Sequence, residues 1–377
     1  MNRIDKLEVF YHGRRVGTMA LYQNRLAAFE YDSDWIVDGF SISPFSLPLE
    51  KKVFMPEWSP FEGLHGVFSD SLPDGWGRLL VDRLMIKNGI DPYVVSNLNR
   101  LSIVGASGMG ALTYHPIVSV GENQEEKSLD EIARECEKLL NTDSSDDLDY
   151  LFLRGGSSGG ARPKILTRID DEDWIIKFPS SQDSKEIGKQ EYDYAMCAMA
   201  CGIDVEKVNL FPSKRTSGYF GTRRFDREGP NENDKIHMVS ASGLLETSHR
   251  IPNLDYDILM QLTLQLTQSM EECEKLYKLM CFNVYAHNRD DHSKNFTFLY
   301  REGEKRWVLS PAYDLTYSYS FGGEHATMVH GNGKNPDLEN LLAVAKKAGL
   351  NVTKAKKTAL NIRECVLESL GEYIVRC

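Results

Sequence analysis

The chain has 377 residues and a formal net charge of −11, with 41% hydrophobic and 26% charged residues. This length predicts two or three units of roughly 100–200 residues each, with the composition of an ordinary globular protein. The acidic charge argues against autonomous binding to nucleic acid. No apolar run approaches the roughly 20 residues that span a bilayer, so a cytoplasmic location without a membrane partner is expected.

Strands dominate the predicted start of the chain. Alternating apolar residues at 7–11, 16–21 and 26–31 predict a meander, with a turn at His12-Gly13-Arg14. Prolines between 41 and 60 predict loops and edge segments. Two helices are then expected, Arg78–Asn88 and Leu129–Leu140, with a domain boundary near 118–128 between them.

A glycine-rich loop opens the second part of the chain. Residues 155–160 read Gly-Gly-Ser-Ser-Gly-Gly and precede a predicted β-hairpin of Lys164–Ile169 and Trp174–Phe178. A helix is expected over Lys185–Cys201, followed by a strand over Tyr219–Phe225.

From residue 255 the apolar spacing becomes helical, interrupted by a strand pair at 296–300 and 306–309. The predicted domains are therefore 1–120, 121–236 and 237–377.

The seven cysteines include no Cys-x-x-Cys pair, which fits reduced cytosolic thiols. Cys197 and Cys201 lie four residues apart on a predicted helix. A shared apolar helix face explains this pair better than a metal site does.

The strongest local signal is the loop from Asn288 to Phe296, in which Asp290 precedes Asn295 by five residues. Kinases use this spacing: the Asp takes or orients the proton of the attacking hydroxyl, and the Asn ligates magnesium. A polar surface loop is the alternative.

A second aspartate follows the predicted hairpin, because Asp314 lies 19 residues after Asn295. The hairpin can bring it back beside Asn295, as with the second magnesium-binding Asp of kinases. That residue is followed by Phe-Gly in kinases, but here by Leu315 and Thr316. A helix N-cap or turn Asp is the alternative.

Lys177 lies on the second strand after the glycine-rich loop, where a Lys can reach the α- and β-phosphates of ATP. Glu191 on the following helix can pair with it, although an exposed Lys and an unrelated Glu would give the same pattern. Glycines let backbone N–H groups turn towards phosphate oxygens. Lys164 is not followed by Ser or Thr, so the loop is no Walker A motif. The order of these signals along the chain is that of a kinase.

The sequence resembles the HipA family of bacterial toxin kinases over nearly its whole length. The shared motifs are Phe29–Asp32, Ile42–Pro44, the run Phe-Ser-Asp-Ser-Leu-Pro-Asp-Gly-Trp-Gly-Arg at Phe68–Arg78, Ile175–Lys177, Arg224–Arg227, Asp290–Asn295 and Tyr313-Asp314.

The resemblance implies an α+β fold with a two-lobed, protein-kinase-like (lipid-kinase-like) core and an N-terminal β-rich subdomain. It implies an ATP- and Mg²⁺-dependent serine/threonine protein kinase, with Asp290 as base, Asn295 and Asp314 as magnesium ligands, and Lys177 as the phosphate-binding lysine. Ser157 matches the loop serine that such kinases autophosphorylate to silence themselves, and Ser158 is equally placed. Phosphate there adds about −1.5 to −2 charge where ATP's own phosphates must sit.

Nucleotide contacts are expected from the glycine-rich loop, the Lys strand, the Glu helix, a connector at His237-Met238-Val239 and the catalytic loop. The residues are Ser157, Ser158, Gly159, Gly160, Ala161, Lys164, Lys177, Glu191, His237, Val239 and His292.

The family usually acts with a small HipB-like helix-turn-helix antitoxin that binds operator DNA, so contact with DNA is expected only through that partner. Family substrates include aminoacyl-tRNA synthetases. One alternative is a lipid or small-molecule kinase, which shares the Asp-x-His-x-x-Asn pattern. The other is a pseudokinase scaffold or co-repressor, against which the intact Lys177, Asp290, Asn295 and Asp314 weigh.

Overall fold

A computed structural model describes residues 3–118, 126–142, 145 and 147–374. The chain divides into two compact units. The first comprises Met1–Gly188, Asn209–Val239 and Gly243–Thr247, and the second comprises Lys189–Val208, Ser240–Ser242 and Ser248–Cys377. The predicted boundary near 118–128 falls largely on residues outside the described part, and the division into three domains stays a prediction.

The first unit begins with a five-stranded antiparallel sheet of order β4-β3-β2-β1-β5. Its strands are β1 Lys6–Tyr11, β2 Arg14–Tyr22, β3 Leu26–Tyr31, β4 Val53–Phe54 and β5 Leu112–His115. His12 and Gly13 both have positive φ, 48° and 73°, which is the backbone of a tight two-residue hairpin turn. The predicted meander and its turn are confirmed, and β4 lies at the sheet edge in the proline-rich segment.

Among the described residues, six helices lie entirely within the first unit: α1 Ser33–Asp38, α2 Gly66–Ser69, α3 Gly75–Lys87, α4 Asn97–Val104, α5 Leu129–Thr142 and α6 Leu148–Gly155. The predicted helix at 78–88 is confirmed but begins three residues earlier, at Gly75. Helix α6 was not predicted from the sequence; it is only 8 residues long and ends in the glycine-rich loop.

A second sheet of order β6-β7-β9-β8 carries the predicted hairpin. Its strands are β6 Lys164–Ile169, β7 Glu172–Lys177, β8 Val208–Phe211 and β9 Tyr219–Arg223. The next strand along the chain, β10 His237–Ser240, is not part of this sheet. Lys164 pairs directly with Lys177 across β6 and β7. Trp76 and Leu80 of α3 share a buried core with Trp174 and Ile176 of β7, so the N-terminal segment and this sheet fold around one core.

The second unit is mainly helical, as predicted, with a short hairpin. The helices are α7 Ile187–Ala200, α8 Ala241–Leu244, α9 Tyr256–Thr267, α10 Met270–Tyr285, α11 Leu338–Lys347 and α12 Val352–Ile374. The first residues of α7 and the last residues of α8 belong to the first unit. The strands are β11 Leu254–Asp255, β12 Thr297–Arg301, β13 Arg306–Leu309 and β14 Thr327–Met328. β12 and β13 are antiparallel, with Phe298 opposite Leu309, which confirms the predicted strand pair. Among the described residues, each helix is too short or too polar to cross a membrane.

Candidate active site

The loop that carries Asp290 begins where α10 ends at Tyr285 and leads through a single 3-10 turn, Ser293–Asn295, into β12. Nδ2 of Asn295 donates to the backbone carbonyl of Asp290 at 2.7 Å. The Asn295 N–H donates to the carbonyl of His292 at 2.8 Å. Asp290 is exposed and Asn295 is half-buried. The predicted pair therefore lies in one closed loop with the Asp290 carboxylate at the surface.

The neighbouring carboxylate, Asp291, points into the protein and is 1% exposed. It accepts hydrogen bonds from the Tyr256 hydroxyl at 2.9 Å, His325 Nδ1 at 3.0 Å and the Thr327 N–H at 3.1 Å. Asn283 of α10 donates to the same Tyr256 oxygen at 2.9 Å. Burial and the nearby Asp291 raise the pKa of Tyr256 well above its usual value. This buried polar network holds the loop in place, and it was not predicted from the sequence.

Tyr313, which directly precedes Asp314, connects the end of the hairpin to the same loop. Its hydroxyl donates to the backbone carbonyl of Lys294 at 2.5 Å and lies 2.7 Å from the hydroxyl of Thr297. Lys294 directly precedes Asn295. These contacts hold the segments that carry Asn295 and Asp314 against each other, while the joint binding of magnesium by the two side chains stays a prediction.

Asp314 is exposed and has a left-handed backbone, with a φ of 54°. A non-glycine residue in this region is uncommon, and such residues often occur at functional sites. Leu315, which stands in place of the kinase Phe, is buried. Gln190 of α7 donates to the Thr316 hydroxyl at 3.3 Å. This contact brings the helix of Glu191 close to the segment after Asp314, and Glu191 itself is 3% exposed.

Both serines of the glycine-rich loop donate hydrogen bonds to backbone carbonyls. The Ser157 hydroxyl bonds to the carbonyl of Ser107 at 2.9 Å, and the Ser158 hydroxyl bonds to that of Gly155 at 2.6 Å. Ser158 is buried, whereas Ser157 is half-buried. Ser157 is therefore the more accessible of the two predicted phosphorylation sites.

The two lysines of the hairpin differ in their surroundings. Lys164 is buried, and its ammonium group donates to the carbonyl of Gly159 at 2.5 Å. Lys177 is half-buried, with Nζ 5.6 Å from the centre of the Phe220 ring. Lys164 thus stabilises the loop itself. The predicted pairing of Lys177 with Glu191 stays a prediction, as does the contact of Ala161, an exposed loop residue, with nucleotide.

The predicted connector is the strand β10. His237 is buried, and its Nε2 donates to the carbonyl of Ile42 at 2.8 Å. Its side chain therefore packs on the N-terminal segment, so any contact with adenine would come from the backbone. Val239 is fully buried. The ring of His292 lies 5.4 Å from that of His249, and the roles of His292 and Val239 towards nucleotide remain predictions.

Two domain families match the chain. The HipA N-terminal domain matches residues 7–115, and the HipA-like C-terminal domain matches residues 156–370, more than half of the chain. The chain belongs to the HipA family.

The chain is also similar to several proteins of known sequence or structure. The protein named putative kinase Y4mE of Sinorhizobium fredii is 23% identical, over 98% of this chain and 91% of that protein. HipA of Shewanella oneidensis MR-1, solved as a toxin–antitoxin complex with HipB and operator DNA, is 18% identical with a TM-score of 0.72, covering 98% of this chain and 91% of that one. The kinase CtkA of Helicobacter pylori gives a TM-score of only 0.38. The similarity to HipA confirms the predicted α+β fold.

The longest HipA-family motif packs on the glycine-rich loop. The Asp74 carboxylate accepts a hydrogen bond from the Gly160 N–H, and the Trp76 N–H donates to the Gly160 carbonyl at 2.9 Å. A Cβ at Gly75 would lie 2.5 Å from that carbonyl oxygen, and one at Gly77 would overlap the carbonyl oxygen of Ser158. Both glycines are therefore required for the close approach of α3 to the loop. The motif could be recognised in the sequence, but its partner could not.

Another HipA-family motif, Arg224–Arg227, forms a buried ion cluster. Asp226 accepts from Arg224 at 2.8 and 2.9 Å, from Arg227 at 2.8 Å and from the Gly110 N–H at 2.7 Å. Although burial alone would raise it, the two guanidinium groups hold the pKa of Asp226 far below its usual value. Both arginines also donate to the carbonyl of Gly108. The cluster fixes the Gly108–Gly110 loop of the N-terminal segment to the segment that directly follows β9.

Proposed function

We propose that the chain is an ATP- and Mg²⁺-dependent serine/threonine protein kinase of the toxin type. The observation that supports this proposal is the loop geometry: Asp290 is exposed, Asn295 is bonded to the Asp290 backbone, and Tyr313, next to Asp314, is bonded to the carbonyl of Lys294. Asp290 would take or orient the proton of the substrate hydroxyl. Lys177 would contact the ATP phosphates.

Asn295 and Asp314 are suited to hold Mg²⁺, which prefers oxygen ligands. Nδ2 of Asn295 donates to the loop carbonyl, which leaves Oδ1 to face a cation. Asp314 is exposed at the end of the same tethered segment. The ion, when bound, neutralises charge on the transferring phosphate.

The test is transfer of label from γ-labelled ATP by the purified chain, followed by mass spectrometry. Asp290→Gln should abolish phosphotransfer while leaving the melting temperature unchanged. Asp171→Asn, at an exposed Asp in the β6–β7 turn, is the matched control and should retain activity. Normal turnover in Asp290→Gln would refute the role of Asp290. Label that enters only a lipid or metabolite would favour the small-molecule kinase instead, and the absence of any transfer would favour a pseudokinase.

Self-inactivation by autophosphorylation is part of the proposal. The more accessible hydroxyl, that of Ser157, is the expected site, because that of Ser158 is buried against Gly155. A phosphate on Ser157 would break its bond to the Ser107 carbonyl and add negative charge in the loop. Phosphopeptide mapping after incubation with ATP and Mg²⁺ should find Ser157, and phosphate on Ser158 alone would contradict this assignment.

A HipB-like helix-turn-helix antitoxin is the proposed partner, as in the Shewanella complex. The net charge of −11 makes direct DNA binding unfavourable, so the antitoxin would supply the DNA contact. The proposed target is a cytosolic protein such as an aminoacyl-tRNA synthetase. Expression of the chain without antitoxin should slow growth, and Asp290→Gln should relieve this effect. Equal toxicity of the two forms would contradict the kinase-toxin proposal.

A further inference from the structure

Three cysteines from two helices converge in the second unit. Cys197 lies on α7, Cys201 directly follows the last residue of that helix, and Cys365 lies on α12. Their three Sγ atoms all lie within 4.8 Å of one another. The shared apolar face that explains Cys197 and Cys201 in the sequence does not explain the third thiol, which comes from a distant part of the chain.

The helix packing fixes these thiols before any ligand binds. The Cys201 N–H donates to the Cys197 carbonyl at 2.9 Å, so helical geometry continues to Cys201 and the two residues lie one turn apart on the same side. Pairs of ligands at this i, i+4 spacing on a helix bind zinc in other proteins. One end of the contact between α7 and α12 is held by the Tyr373 hydroxyl, which donates to Asp193 at 2.7 Å. At the other end, the Cys197 thiol lies 3.9 Å from the carbonyl oxygen of Cys365.

Within the cluster, the thiol of Cys197 differs chemically from that of Cys273, which lies outside it. The hydrogen bond from Cys201 lowers the pKa of the Cys197 thiol to about 7, and the same bond raises the pKa of Cys201. By contrast, burial raises the pKa of Cys273 to about 11. Metals bind the thiolate form of cysteine, and the hydrogen bond from Cys201 favours that form at Cys197.

We propose that Cys197, Cys201 and Cys365 form a site for a thiophilic divalent cation of the Zn²⁺ type. Tetrahedral zinc, with Zn–S bonds of about 2.3 Å, places its sulfurs about 3.8 Å apart, so small side-chain rotations suffice. Cys201 and Cys365 are half-buried, which lets a solvent molecule occupy the fourth position. Binding releases the thiol protons to solvent and cross-links α7 to α12. This proposal does not depend on kinase activity.

The test uses the full-length, reduced chain with excess Mg²⁺, which fills sites made of oxygen ligands. Co²⁺ is the spectroscopic probe. It should bind with one equivalent and give a thiolate-to-cobalt charge-transfer band that Zn²⁺ abolishes, and Zn²⁺ should raise the melting temperature. Cys201→Ser and Cys365→Ser should each lose the band. Cys273→Ser, on α10 and outside the cluster, is the matched control and should keep it.

Circular dichroism of each variant shows whether a loss of binding reflects a loss of structure. If one of the two serine variants fails to fold, the other still tests the site. Absence of the charge-transfer band in the wild-type chain would overturn the proposal. So would a band that persists in both serine variants, or a disulfide within the cluster that forms in reducing buffer and excludes the cation.

Discussion

The hydroxyl of Tyr313 donates to the backbone carbonyl of Lys294 at 2.5 Å. Each of these residues directly precedes a predicted magnesium ligand, Asp314 in one case and Asn295 in the other. The same hydroxyl lies 2.7 Å from that of Thr297 at the start of β12. A single phenol therefore couples the positions of two side chains that the proposed chemistry requires together.

Tyr313→Phe should weaken the proposed kinase without unfolding it. The change removes two neutral hydrogen bonds, each worth about 0.5–1.5 kcal/mol. Phosphotransfer should fall by about tenfold, corresponding to about 1.4 kcal/mol, and the Mg²⁺ concentration needed for half-maximal rate should rise. Tyr300→Phe on the same hairpin, where the ring lies 5.4 Å from that of Trp307, is the control. An identical magnesium dependence in both variants would contradict the coupling role.

Asp291→Asn should lower stability, in contrast to Asp290→Gln. The buried Asp291 carboxylate accepts bonds from Tyr256, His325 and Thr327. In the variant, the amide N–H group of Asn faces one of these three donors and cannot accept a hydrogen bond from it. We therefore expect a loss of about 1–3 kcal/mol in the free energy of unfolding, measured by urea denaturation. Asp290→Gln should lose activity at unchanged stability. The reverse pattern would exchange the roles of the two aspartates.

The adjacent Asp290 and Asp291 show which features of the site can be predicted from the sequence and which cannot. The spacing of Asp290 and Asn295 is local, and the structure closes the loop that this spacing predicts. Which of two neighbouring carboxylates faces inward depends instead on Tyr256 and His325, which lie far away in the chain. No local pattern marks such partners, because each is an ordinary residue until the fold brings it to Asp291.

The same limit applies to the Asp74–Gly77 motif, whose contact with the glycine-rich loop joins distant parts of the chain. Gly77→Ala should displace that loop, because a Cβ would overlap the Ser158 carbonyl oxygen and lie 2.8 Å from Pro73. We expect a loss of roughly 1–3 kcal/mol in stability and weaker ATP binding, measured by urea denaturation and calorimetric titration. Gly303→Ala, where nothing lies within 4 Å of the added Cβ, should behave as wild type. Unchanged ATP affinity in Gly77→Ala would show that the contact does not position the loop.

Asp226→Asn should be the most destabilising of these substitutions. It leaves two buried guanidinium groups, those of Arg224 and Arg227, without their counter-charge. Removal of one partner from a buried ion pair costs roughly 3–5 kcal/mol. Glu304→Gln, which breaks an exposed pair with Arg306, should cost at most about 1 kcal/mol. Equal midpoints of urea denaturation in the two variants would contradict a structural role for the cluster.

Acid should destabilise the chain through His237. Burial lowers the pKa of its imidazole from 6.5 to about 4, despite the opposing hydrogen bond to Ile42. As the pH falls below 6.5, His237 binds a proton in the unfolded chain, whereas in the folded chain it stays neutral until about pH 4. The free energy of unfolding should therefore decrease over this range, by about 3 kcal/mol from this group. His237→Gln keeps a donor for the Ile42 carbonyl but does not titrate, so urea denaturation at several pH values should show a shallower decrease. An equally steep decrease in His237→Gln would assign the acid sensitivity to other groups.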